Sequence, residues 1–288
     1  MSRILRDGTR VIFIGNSFLF YGGCVDPFDP RPSLDNRGLF HRLCAANGER
    51  VYVTDATVGG HHFYDFADRC HCRGGKNHPS GTDLLAGFDL ASYDFAVAAE
   101  AGIWHEYNVS LGGTDENYYK IRSRFLSAGF TGRFIYCIHT FPYTSPEPYA
   151  ERALREAGEI AASGAAVVNF GGPVNEALTA GRIPGGRLPC DKNSFIVNQS
   201  ERDGFHPNLL TGYLTALAVR TGMTGEDPVG QPWDFVSELK SPAEFLRERY
   251  GYGGSTSNFP EILKSPEDMR ALQALVGKYS LPRDAVSE

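Results

Sequence analysis

Short β-branched apolar runs alternate along this chain with stretches whose apolar residues recur every three or four positions. Val11-Ile12-Phe13-Ile14 is the first run and predicts a strand buried on both faces, stopping at Gly15-Asn16-Ser17. Ser33-Leu34-Asp35-Asn36 offers an N-cap region for a helix with Leu39, Phe40, Leu43 and Cys44 on one face and Gly48 as its stop. Val51-Tyr52-Val53-Thr54 predicts a second strand ending near Gly59-Gly60. Residues 61–92 are polar and weakly periodic, so they read as an insertion over one end of a sheet. Further strands are expected at 93–99, running into Glu100, at 134–138 and at 165–169. Helices are expected at about 115–128, from Ser145-Pro146-Glu147 onward with Leu154, Ala157, Ile160 and Ala161 on one face, and at 173–180. His206-Pro207 leads into a helix whose apolar face carries Leu210, Tyr213, Leu214, Leu217 and Ala218, with Gly222 as terminator.

Five strands separated by helices imply an α/β fold: a mainly parallel five-stranded sheet covered on both sides. Residues 1–224 form the main domain in this reading. Residues 225–288 form a helical C-terminal extension packed on it, with a capping box at Ser241-Pro242-Ala243-Glu244 and a helix from Ser265-Pro266-Glu267 to about Gly277.

Composition narrows the function classes. Hydrophobic residues at 42% and charged residues at 22% are ordinary for a globular protein, while a net charge of −6 with no basic stripe argues against nucleic acid. The polar N-terminus has no signal-peptide core and no run of about 18 apolar residues occurs, so no membrane span and a cytoplasmic location are expected. Cys44 and Cys137 stand among apolar residues, as buried reduced thiols do. Cys70-His71-Cys72 with His78 has the wrong spacing for a zinc site, so no metal and no cofactor are expected.

Three polar features fall where strands end, the place at which ligands bind in parallel sheets. Ser17 lies on a Gly-Asn-Ser turn two residues past the first strand. Gly59-Gly60 follows the second strand, where a missing side chain lets an amide approach a substrate oxygen. Asp203-Gly204-Phe205-His206-Pro207 precedes a helix. A serine hydroxyl needs an imidazole to take its proton, and a carboxylate to hold that imidazole in one tautomer. An Asp three residues before a His can do so across a tight turn. The order Ser, Asp, His also occurs in α/β-hydrolases, but those carry the serine mid-chain in G-x-S-x-G, and position 19 here is Leu.

Val11-Ile12-Phe13-Ile14-Gly15-Asn16-Ser17-Phe18 resembles the first block of the SGNH/GDSL hydrolases, with Asn16 where Asp is usual. Gly59 or Gly60 resembles the second-block glycine, and Asp203-Gly204-Phe205-His206-Pro207 the final D-x-x-H-P block. An uncharacterised bacterial branch with GNSF near its start is the nearer resemblance. It shares the glycine pair and an H-P-x-x-x-G-x-Y-L run, matched here from His206 to Leu214. The resemblance covers about residues 10 to 222 and implies a flavodoxin-like three-layer α/β/α sandwich that hydrolyses esters. It also implies a departure: the family's oxyanion-binding Asn after the third strand is missing, and Glu100 occupies that stretch.

The expected function is therefore hydrolysis of small acyl esters, on carbohydrates or metabolites, through a Ser17-His206-Asp203 triad. Gly59, Gly60, Glu100 and Asn16 are the candidate oxyanion and substrate-binding residues, although Asn16 also suits bracing of its turn. A catalytically weak ligand- or glycan-binding protein and an acyltransferase are the alternatives. His61 and His62 follow the glycine pair and are candidates to line the pocket, in a setting where exposed loop histidines are also common.

Overall fold

A computed structural model of the chain describes residues 5–20, 22–25, 38–71, 79–101, 113–139, 149–169, 171, 176, 209–238 and 265–280. The expected features at 33–36, 145–148, 203–207 and 241–244, the expected helix at 173–180 apart from Glu176, and Cys72, His78 and Cys190 lie outside the described residues.

Five strands form one parallel sheet: β1 (Thr9–Gly15), β2 (Val51–Thr57), β3 (Phe95–Ala101), β4 (Arg133–His139) and β5 (Ala166–Asn169). Their spatial order is β2-β1-β3-β4-β5. Alternate side chains of these strands enter different cores, as strand geometry requires. Val11, Phe13, Val53, Val97, Ala99, Ile135 and Cys137 face one side, packed against α2 (Leu39–Ala46), α6 (Leu209–Thr224) and α7 (Pro266–Ser280). Ile12, Ile14, Ala96, Ala98, Phe134, Tyr136 and Ile138 face the other. There they meet α3 (Phe63–Ala67), α4 (Thr114–Ser127) and α5 (Tyr149–Ala162). The four-residue α1 (Ser17–Phe20) follows β1 directly. The sheet is thus the middle of three layers, with apolar residues on both faces of its central strands.

Three local expectations change. The described part of 61–92 is more apolar inside than its polar sequence suggests: Phe63, Phe66, Leu84, Leu85 and Leu90 are buried in the second core. Periodicity was weak because α3 is only five residues long, too short to repeat a helical pattern. α6 runs through Gly222 to Thr224, and the turn comes at Gly225 with φ +70°. A Cβ on Gly222 would run into Val168, so that glycine serves helix–sheet contact rather than termination. α7 likewise continues through the buried Gly277 to Ser280.

α7 starts as its sequence predicts, with Pro266 at the first position and Ser265 Oγ accepting the Asp268 N–H at 3.3 Å. Its Met269, Leu272 and Val276 complete the core that α6 occupies. Gln273 Nε2 donates to Tyr213 Oη at 2.8 Å and to the Gln231 carbonyl at 2.8 Å, joining α7, α6 and the turn between them.

Candidate active site

In the order β2-β1-β3-β4-β5 the chain leaves β1 toward one edge and returns to β3 on the other side, so the crossovers part between β1 and β3. The crevice outside the carboxyl ends at such a point is where parallel sheets hold ligands. Gly15-Asn16-Ser17 lies at that end of β1 and Glu100 at that end of β3. A side chain at position 15 would collide with the Ala99 carbonyl, so glycine is what lets the two strand ends close up. Gly15 has φ +154°.

Ser17 opens α1 and is 8% exposed. Asn16 is buried before it, and its contacts are those of a brace. Its Oδ1 accepts the Phe18 N–H at 3.2 Å, its carbonyl accepts the Leu19 N–H at 3.0 Å, and its Nδ2 donates to the His61 carbonyl at 3.1 Å. The Val58 N–H donates to the Gly15 carbonyl at 2.9 Å. The β1 turn and the β2–α3 turn are therefore tied at two points.

The β2–α3 turn folds back from Val58 to His61, whose N–H donates to the Val58 carbonyl at 3.2 Å. Gly60 supplies φ +73°, which a side chain resists, and open space surrounds its Cα. Among the described residues neither Gly59 nor Gly60 donates its amide to a protein acceptor. Both histidines that follow are buried, at 2% and 8% exposure, contrary to the expectation of exposed loop residues. His61 Nδ1 lies 2.9 Å from the Gly59 carbonyl, which can only accept, so Nδ1 carries the proton and Nε2 faces Cys70 Sγ at 3.3 Å.

Glu100 lies beneath this turn at 2% exposure. It shares the face of Ala96 and Ala98, the side on which α3 packs. One carboxylate oxygen is 3.0 Å from His62 Nδ1, and the other accepts the Phe63 N–H at 2.7 Å. Burial opposes a charge on His62, but the charge and hydrogen bond of Glu100, with a smaller contribution from Asp65, outweigh it and raise the imidazole above its usual 6.5. Asp65 Oδ2 in turn accepts the His62 N–H at 3.0 Å. Tyr136, on β4, is held neutral because burial and the nearby Glu100 charge both push its hydroxyl up. The sequence offered little warning of the His62–Glu100 pair. Its two members are 38 residues apart, and only sheet order brings them together.

Asp203 and His206 lie outside the described residues. Among the described residues no cluster of His, Cys, Asp and Glu suits a metal ion, and no helix is long and apolar enough to cross a membrane.

This architecture recurs in solved structures. A DUF4886 family protein from Bacteroides uniformis aligns with 96% of this chain and 98% of its own, at 14% identity and a TM-score of 0.52. The two share a fold. A GDSL-like lipase candidate from Parabacteroides merdae aligns with 77% of this chain and 97% of its own, at 14% identity and a TM-score of 0.47. A family two carbohydrate esterase from Clostridium thermocellum, solved with cellohexaose, aligns with 76% of this chain and 65% of its own, at 13% identity and a TM-score of 0.40. No protein-family model and no curated protein matches the sequence. At 14% identity the likeness to the DUF4886 family protein is one of fold, and the five-stranded parallel α/β sandwich expected from the sequence is the one found.

Proposed function

We propose that this chain is a serine-dependent hydrolase of small carboxylic esters, with Ser17 as nucleophile, His206 as proton shuttle and Asp203 as the carboxylate that orients it. The observation that carries the reading is the position of Ser17. It sits at the carboxyl end of a central strand, beside the crevice between β1 and β3, on a turn clamped to the Gly59-Gly60 turn through Asn16 and Val58. Solved proteins of similar fold described as GDSL-like or as carbohydrate esterases give the reading its reaction class.

In this mechanism His206 takes the Ser17 proton as the oxygen attacks the acyl carbon, and returns it to the leaving alcohol. The Ser17 amide and the Gly59 or Gly60 amide take the oxyanion. Water then attacks the acyl-enzyme with His206 again as base.

The test is a fluorophosphonate probe together with p-nitrophenyl acetate turnover. An activated Ser17 is labelled and hydrolyses the ester, and Ser17→Ala does neither. A chain that is never labelled is a binding protein on this fold. Added alcohol or sugar that captures the acyl group marks an acyltransferase instead.

A further inference from the structure

We propose that Glu100 and His62 form a charge-neutral positioning pair that sets the Gly59-Gly60 turn for the acyl oxygen. This inference rests on the Ser17 hydrolase reading. Its starting point is an electrostatic problem. A carboxylate donates no hydrogen bond, and a bare negative charge at the end of β3 opposes the oxyanion that forms at the end of β1.

The geometry resolves it. Glu100 holds the first residues of α3 from below, gripping the His62 ring at 3.0 Å and the Phe63 amide at 2.7 Å. Those residues continue directly from the glycine pair, so the carboxylate fixes where the Gly59 and Gly60 amides stand. The imidazolium of His62 cancels the carboxylate charge within a nearly buried pair, whose side chains are 10% and 1% exposed. Such a pair does not replace the missing donor; it offsets the Glu100 charge near the oxyanion.

Among the described residues, the groups around the pair come from α3, the sheet and the turn itself. On the α3 side, Asp65 accepts the His62 amide, Tyr64 stacks on the His62 ring at 5.3 Å, and His71 meets Tyr64 edge-on. On the sheet side stands the neutral hydroxyl of Tyr136, and within the turn the His61 ring is engaged with Gly59 and Cys70. Of these, Asp65 and Glu100 favour the charged form of His62. When His62 loses its proton at alkaline pH, the pair keeps its hydrogen bond but acquires a net negative charge. Acylation then slows although the fold is intact.

The experiment compares wild type with Glu100→Gln and His62→Gln as full chains. It follows p-nitrophenyl acetate turnover from pH 5 to 9, with folding checked by circular dichroism. The wild type shows a descending alkaline limb in kcat. Glu100→Gln leaves no carboxylate to be unmasked when His62 loses its proton, so it flattens that limb and kcat at pH 9 no longer falls below its value at pH 6, with KM within about twofold. His62→Gln abolishes the limb. An equal loss at every pH, or an unchanged kcat, overturns the proposal. NMR titration of the His62 ring in the Ser17→Ala background reads the pair without turnover: a midpoint above 6.5 that falls in Glu100→Gln supports it, and an unmoved midpoint rejects it. If wild type is never labelled by fluorophosphonate while the midpoint does move, the hydrolase reading fails and the charge pair stands. If Glu100→Gln does not fold, the His62→Gln profile decides.

Discussion

Asn16 Nδ2 donates a 3.1 Å hydrogen bond to the carbonyl of His61, 45 residues away. The residue before the proposed nucleophile is thereby tied to the turn proposed to bind the oxyanion. Asn16→Asp replaces the donor with an acceptor that faces the His61 carbonyl, so this hydrogen bond is lost and two oxygens are set against each other. The expected loss is about 1–3 kcal/mol in urea unfolding, with a fall in kcat/KM larger than the stability change explains. A variant of unchanged stability and activity would show the tie to be incidental.

Two glycines are expected to separate packing from conformation. Gly15→Ala drives a methyl group into the Ala99 carbonyl, backbone against which nothing can yield, and costs about 1–3 kcal/mol of stability. Gly60→Ala meets open space, so only its positive φ resists, at about 1 kcal/mol. Fluorophosphonate labelling should fall more steeply than melting temperature in Gly60→Ala.

Arg220 on α6 is nearly buried and holds Glu49 through two hydrogen bonds of 2.9 and 2.8 Å, and Glu226 through one of 2.7 Å. Glu49 also accepts the Leu5 amide at 3.1 Å. Arg220→Met strands the Glu49 carboxylate and is expected to cost about 3–5 kcal/mol. The double variant Arg220→Met/Glu49→Met should lose less than the single one in denaturant melts.

Cys24, Cys44 and Cys137 are buried thiols, and burial pushes each well up from its usual range. Little thiolate exists at pH 8, so the three should resist iodoacetamide in the native state and react in urea. Mass spectrometry of the alkylated chain checks this. Rapid native modification of Cys137 would contradict its place in the sheet.

His62 also links stability to pH. Its folded-state value is raised above 6.5, so its contribution is fully present below that pH and is lost as pH rises through the raised value. The stability gap between wild type and His62→Gln should therefore shrink above pH 6.5 in thermal melts. A gap that is constant with pH would mean that folding leaves the proton affinity of His62 unchanged.

Short apolar runs alone located all five strands, because a strand buried on both faces is a continuous apolar run whatever surrounds it. The glycine terminators were harder to read. Gly222 and Gly277 looked like helix stops, yet both lie inside helices. Whether a glycine ends a helix or admits a neighbour depends on what packs against it. Gly212 shows the same: a Cβ there would collide with the Gly22 backbone, a contact invisible in the run His206 to Leu214.

The sequence by itself determined the layers and the turns that follow β1 and β2, since local periodicity and turn chemistry act over a few residues. Only the tertiary structure decided that Glu100 grips His62 and Phe63, that Asn16 reaches His61, and that both histidines are buried. Those facts depend on β3 lying beside β1 rather than β2, and on the face parity that turns Glu100 toward α3. Sheet order is set by how whole layers bury their surfaces, and no short stretch of chain encodes it.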